Sequence, residues 1–142
     1  MKKTLIAVLL LCVTMQASAN ENMLEKFSEY LDFVHESEGV IFTNQLQALG
    51  YNKFFIVDVR KENQYQEGHL EGAINIHWRQ LLNRRNELPK DKTILLYCDT
   101  GVLSSRMQFI LKMSGFENAK VLWGGYLYYK GRITEVEVNT EN

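Results

Sequence analysis

Three short stretches of this chain are almost wholly apolar on consecutive residues: FFIV at the start of 54–60, TILLYC at 93–98 after its leading Thr93, and AKVLW at 119–123 apart from Lys120. A strand with one wet face alternates apolar and polar residues. A strand-length run without alternation must bury both faces, so helices have to cover the sheet on two sides. The intervening segments supply them. GVIFTNQLQALG (39–50) reads as a short strand followed by a short helix, with Thr43 as N-cap and Gly50 as stop signal. Residues 62–66 fit one helical turn, and AINI (73–76) another short strand. WRQLLNRRNEL (78–88) reads as a helix ending before Pro89. Ser104 to Ser114 reads as a helix with Leu103, Met107, Ile110 and Leu111 on its apolar face and Gly115 at its C-cap. Gly124-Gly125 ends the last strand, and Tyr126 to Lys130 forms a final short helix. Strands alternating with helices predict an α/β domain with a mostly parallel central sheet flanked by helices.

The first 19 residues are set apart from that domain. Lys2 and Lys3 precede an apolar stretch from Leu5 to Val13, and Ala17-Ser18-Ala19 supplies small residues for cleavage. That is the layout of a secretory signal peptide. The apolar run falls short of the roughly 20 residues a membrane-spanning helix needs. Retention as an anchor and lipidation at Cys12 are the alternatives, but Leu11 stands where lipidation needs a small residue. The expected address is the periplasm, with no stable membrane anchor after cleavage at Ala19. Cleavage removes Lys2, Lys3 and Cys12, so the mature chain is more acidic and keeps a single cysteine, Cys98. Residues 20–37 then form an N-terminal helical extension. Its Met23, Leu24, Phe27, Tyr30, Leu31 and Val34 make one stripe that suits either the core or a partner. The stretch 133–142 is a polar tail.

Composition narrows the function. The formal net charge is −1, with 16 basic and 17 acidic residues, which gives no nucleic-acid surface. Two cysteines and three scattered histidines do not form a zinc site of ordinary spacing. Cys98 is the exception to this blandness. It ends a buried strand, and Asp99, Thr100, Gly101, Val102 and Leu103 turn tightly into a helix near Ser104. Ligands of open α/β sheets bind beyond the carboxyl ends of the strands. Loop amides and a helix N-terminus around the sulfur favour an anion there, and Gly101 lets the loop turn at positive φ. An ordinary cysteine is only about 3% thiolate at pH 7, so such donors are what a nucleophile needs. The structural alternative is an inert buried thiol.

Four ordered segments now resemble the rhodanese (sulfurtransferase) family. FFIVDVR with Tyr65 is similar to its D-V-R…Y segment. Gly68-His69-Leu70 and Gly72-Ala73-Ile74-Asn75-Ile76 resemble G-H-I-x-G-A-I-N-I. Tyr97-Cys98-Asp99-Thr100-Gly101 with Ser104 resembles the loop Y-C-x-T-G-x-R-S, and KMSGFENAKVLWGG (112–125) resembles L-x-x-x-G-F-x-x-V-x-x-L-x-G-G. The resemblance spans 38–132 and implies a single three-layer rhodanese-like domain. It implies that Cys98 is the nucleophile, that it takes sulfur from thiosulfate or another persulfide donor, and that a thiol or cyanide, or a protein acceptor, receives it. It implies that the amides from Asp99 to Ser104 hold the persulfide and that no metal or organic cofactor is required.

The chain departs from the family pattern at several points. Leu103 stands where the loop arginine is expected, and Asp99 adds a negative charge to the loop. Both weaken the case for a dianionic donor. Arg106, on the first helical turn, is the candidate replacement. His77 replaces a proline and Tyr129 a tryptophan. Asp58, Arg60 and His69 are supporting residues that brace the loops. Trp123 and the tyrosines at 126, 128 and 129 read as core or pocket rim, and Arg84 and Arg85 as a solvated helix face. The competing function is a non-catalytic rhodanese-like binding or sulfur-sensing module with an idle Cys98. A dual-specificity phosphatase would need arginine at the position of Ser104, and a thioredoxin-like enzyme a second cysteine.

Overall fold

The computed structural model describes residues 21–35 and 38–131. The signal-peptide reading of 1–19 and the tail 133–142 lie outside the described residues. The chain divides between Glu38 and Gly39 into two units. The first carries helix α1 over residues 21–33, close to the stretch that the apolar stripe predicts.

The second unit is built on five strands in the order β1-β5-β4-β2-β3, all parallel. They are β1 (Val40–Ile41), β2 (Phe55–Asp58), β3 (Ile74–Asn75), β4 (Ile94–Tyr97) and β5 (Ala119–Leu122). Helices α2 (Thr43–Leu49), α3 (Glu62–Glu67), α4 (Trp78–Leu81), α5 (Val102–Met113) and α6 (Gly125–Tyr129) connect or follow them. The apolar runs sit in the middle of the sheet, where β4 pairs with β2 on one side and β5 on the other.

Side chains of successive strand residues point to opposite faces. Ile94, Leu96 and Cys98 therefore join one core cluster, with Val57, Val59 and Val121, under Leu81 of α4 and Met107 and Leu111 of α5. Leu95 and Tyr97 join the other, with Ile56, Leu122, Leu46 of α2 and Tyr126 of α6. All four β4 residues have 0% exposure.

Four local expectations are corrected. The N-cap of α2 is Phe42, not Thr43. The chain leaves β1 still extended at Phe42, and the Gln45 side chain accepts the Phe42 N–H at 3.0 Å, while the buried Thr43 hydroxyl has no partner among the described residues. The segment 78–88 is helical only through Leu81 and ends in a 3₁₀ turn, Arg85–Glu87. There the Arg85 guanidinium donates to the Leu82 carbonyl at 2.9 Å, and Arg84 pairs with Glu87. Helix α5 starts two residues early, because Gly101 takes a left-handed conformation as N-cap. Ile110 is 36% exposed rather than on the buried face, since Ser104 and Gln108 fill the inner side of α5. Leu96→Ala should cost roughly 2–5 kcal/mol, since the cavity would open in the most enclosed strand. Chemical denaturation of the two proteins measures it.

Candidate active site

Because all strands are parallel, residues that follow them collect at one edge. Cys98 leaves β4 at that edge and is 3% exposed. Gly101, at φ +97°, folds the loop back so that its N–H donates to Cys98 Sγ at 3.2 Å. The fully buried Ser104 hydroxyl lies 3.7 Å from the sulfur and 3.0 Å from the Gly101 carbonyl oxygen, so one proton stands between two acceptors. Thr100 and Leu103 are half-buried and Val102 is exposed. Leu103 packs against the cluster that contains Cys98.

The loop is tied down from behind by α6. The Tyr126 N–H donates to the Cys98 carbonyl at 2.8 Å and the Leu127 N–H to the Asp99 carbonyl at 2.9 Å. Gly125 permits this approach. It has φ +64°, and a Cβ there would lie 2.5 Å from both carbonyl oxygens. Sequence reading finds Gly125 as a strand breaker and as the end of the 112–125 segment, without this packing role.

Both oxygens of the Asp99 carboxylate are engaged. They receive Arg60 Nη1 at 3.0 Å and Gln64 Nε2 at 2.6 Å. Gln64 also accepts the Lys61 N–H at 3.3 Å, which sets the orientation of its amide. Arg60 is the centre of this arrangement. Its Nη2 donates to Asp58 Oδ2 and to the Gly68 carbonyl, both at 2.7 Å, and its Nε lies 3.0 and 3.1 Å from the Asp58 oxygens. The guanidinium stands over Tyr126, 4.3 Å from the ring centre. Tyr97 and Tyr126 belong to the face opposite Cys98. Burial opposes the Arg60 charge, but the hydrogen bonds and charge of Asp58, then those of Asp99, hold its pKa above the ordinary arginine value. Burial, then the Asp58 charge, pushes the Tyr97 hydroxyl up. Nearby, the Tyr51 and Tyr129 hydroxyls meet at 2.9 Å. Burial and then this bond push Tyr51 up to about 12.

The remaining predicted site residues separate. His69 stacks on Tyr65 with ring centres 4.0 Å apart, and its Nδ1–H donates to the Tyr65 carbonyl at 2.9 Å. That geometry braces the α3 exit. Arg106 sits on the second turn of α5, not the first, because the helix begins at Val102. It is exposed and has no hydrogen bond or ion pair among the described residues. Sequence reading misses Gln64, which no local signal marks, and finds Tyr126 only as core or pocket rim. Gly125→Ala should destabilise by at least about 1–3 kcal/mol, the cost of a non-glycine residue at strained φ, before the carbonyl clash is added. Thermal denaturation would read this, and an unchanged Tm would contradict the loop–α6 packing.

Comparison with known proteins agrees with this architecture. Residues 41–132 match the rhodanese-like domain. The chain is 39% identical over 84 residues to the uncharacterized protein YqhL of Bacillus subtilis, covering 59% of this chain and 67% of that protein. It is 29% identical over 84 residues to thiosulfate sulfurtransferase GlpE of Coxiella burnetii, covering 59% of this chain and 78% of the relative. It is also 41% identical over 70 residues to tRNA sulfurtransferase of Aeromonas hydrophila, covering 46% of this chain but only 14% of that longer protein. Among solved structures, the rhodanese-like domain of the Anabaena Alr3790 protein superposes with a TM-score of 0.59 at 27% identity, covering 67% of this chain and 75% of that one. The rhodanese-related protein of Thermoplasma volcanium gives 0.61 at 22%, covering 66% and 91%. With the family's domain matched across most of the chain and its parallel sheet in place, this chain belongs to the rhodanese-like family.

Proposed function

We propose that the protein is a sulfurtransferase that carries sulfane sulfur on Cys98. The observation that carries this reading is the cysteine at the exit of a buried parallel strand, with the Gly101 N–H on its sulfur and Ser104 beside it. The sulfurtransferase names of two relatives support it. The Cys98 thiolate attacks the outer sulfur of thiosulfate or of a persulfide. A new S–S bond forms, the donor S–S bond breaks, and sulfite or a thiolate leaves with the electron pair. A thiol, cyanide or protein acceptor then attacks the outer sulfur and restores the Cys98 thiolate. The Gly101 N–H and the Ser104 hydroxyl are placed to stabilise negative sulfur through both halves. Asp58, Arg60 and His69 act as supporting residues. The amides from Asp99 to Ser104 form the persulfide cradle.

A second reading is a rhodanese-like module that binds a partner or senses sulfur without turnover. Leu103 in place of the loop arginine is the observation in its favour. Intact-mass analysis separates the two. Incubation with a sulfane donor should add about 32 Da, one sulfur atom, to the wild type and nothing to Cys98→Ala. Absence of that gain with every donor, on reduced folded protein, would leave the binding module.

The protein is further proposed to work in the periplasm after loss of residues 1–19. The basic start, apolar run and Ala17-Ser18-Ala19 support this. N-terminal sequencing of the protein from a periplasmic extract should begin at Asn20. An intact Met1 would sink the proposal.

A further inference from the structure

The charges around the loop are arranged in a way that bears on which donor the site accepts. Binding a dianion beside a thiolate requires a cation that can be spared for it. Arg60 follows β2 at the same sheet edge, but it is 5% exposed and committed to Asp58, Asp99 and the Gly68 carbonyl. It also stacks on Tyr126, in the cluster on the sheet face opposite the one that contains Cys98. The Asp99 carboxylate is taken up by Arg60 and Gln64, so its charge is paired. On the Cys98 face, apolar side chains stand at the starts of α4 and α5, with the exposed Arg79 stacked 4.1 Å from the centre of the Trp78 ring. Leu103 at the start of α5 and Trp78 at the start of α4 are both partly buried against the cluster that contains the sulfur. The exposed Val102 lies next to Leu103. Arg106 is one turn further along α5.

We propose that the site takes its sulfur from an organic persulfide, R–S–SH with an uncharged carrier, in preference to thiosulfate. The inference rests on the sulfur-transfer reading above and names its donor class. The Gly101 N–H and the Ser104 hydroxyl supply dipoles enough for one negative sulfur. Arg79 is exposed and stacked on the Trp78 ring, and Arg106 is exposed with no fixing partner among the described residues, so neither is held in place for a second and third anionic oxygen. The apolar Leu103 side chain suits the carbon carrier of an organic donor. In the step, the Cys98 thiolate attacks the outer sulfur of R–S–SH. The new bond makes Cys98–S–SH, and R–S⁻ departs with the pair from the broken S–S bond.

The test measures loading of Cys98 by intact mass against time. The donors are thiosulfate and an alkyl hydropersulfide whose carbon carrier bears no charge, each normalised to its rate with free N-acetylcysteine. Wild-type protein should favour the alkyl donor by about tenfold or more after normalisation, the factor that roughly 1.4 kcal/mol supplies. Leu103→Arg should raise kcat/KM for thiosulfate about tenfold and lower that for the alkyl donor severalfold, since a guanidinium attracts the dianion and takes away the apolar contact that suits the carbon carrier. Leu103→Met, which keeps an apolar side chain, should keep the wild-type ratio. A normalised wild-type preference for thiosulfate would overturn the proposal while leaving sulfur transfer intact. If that preference vanished in Arg106→Gln, Arg106 would be the cation overlooked. Failure of both donors to load folded wild type would reject the sulfur-transfer reading itself, and the donor class with it.

Discussion

Strand β4 has no solvent face, and the rest of the molecule follows from that. Its four residues are fully buried, alternate residues entering two separate cores. A strand enclosed in this way cannot slip by one residue without exchanging the contents of both cores. The position of Cys98 at its exit is therefore set by the packing of the whole sheet. The loop itself contributes only the last step, a left-handed Gly101 that turns an N–H onto the sulfur.

The same alternation separates the chemistry into two faces. Cys98 belongs to the side of α4 and α5. Tyr97 and Tyr126 belong to the other side, and Arg60 lies over Tyr126. A buried ion pair is weak support for stability in general, because desolvation offsets much of the attraction. Here its use is geometric. One guanidinium ties the end of β2, the exit of α3 and the Cys98 loop together, and it pairs with the loop carboxylate.

The α6 terminus completes the frame. Two of its N–H groups, which a helix start leaves without intrahelical partners, go to the carbonyls of Cys98 and Asp99. The pair of left-handed glycines before and at the start of α6 is thus a packing requirement as well as a turn.

Much of this was legible in the chain. The apolar runs determined a sheet buried on both faces, the strand-to-helix order determined parallel pairing, and Cys98-x-x-Gly101 marked the loop. These are properties of neighbouring residues, governed by side-chain periodicity and by glycine's access to positive φ. The boundaries of α2, α4 and α5 were less legible, because side chains such as Gln45 and Arg85 compete for the backbone groups at helix ends. Asp99 read as a charge beside the thiol because nothing local announces its partners. Arg60 lies 39 positions away and Gln64 35. The sequence by itself determined the sheet and which cysteine it presents. Only the tertiary structure decided where the loop's charge is held, because pairing between distant residues depends on which strand edges and helix ends the packing brings together.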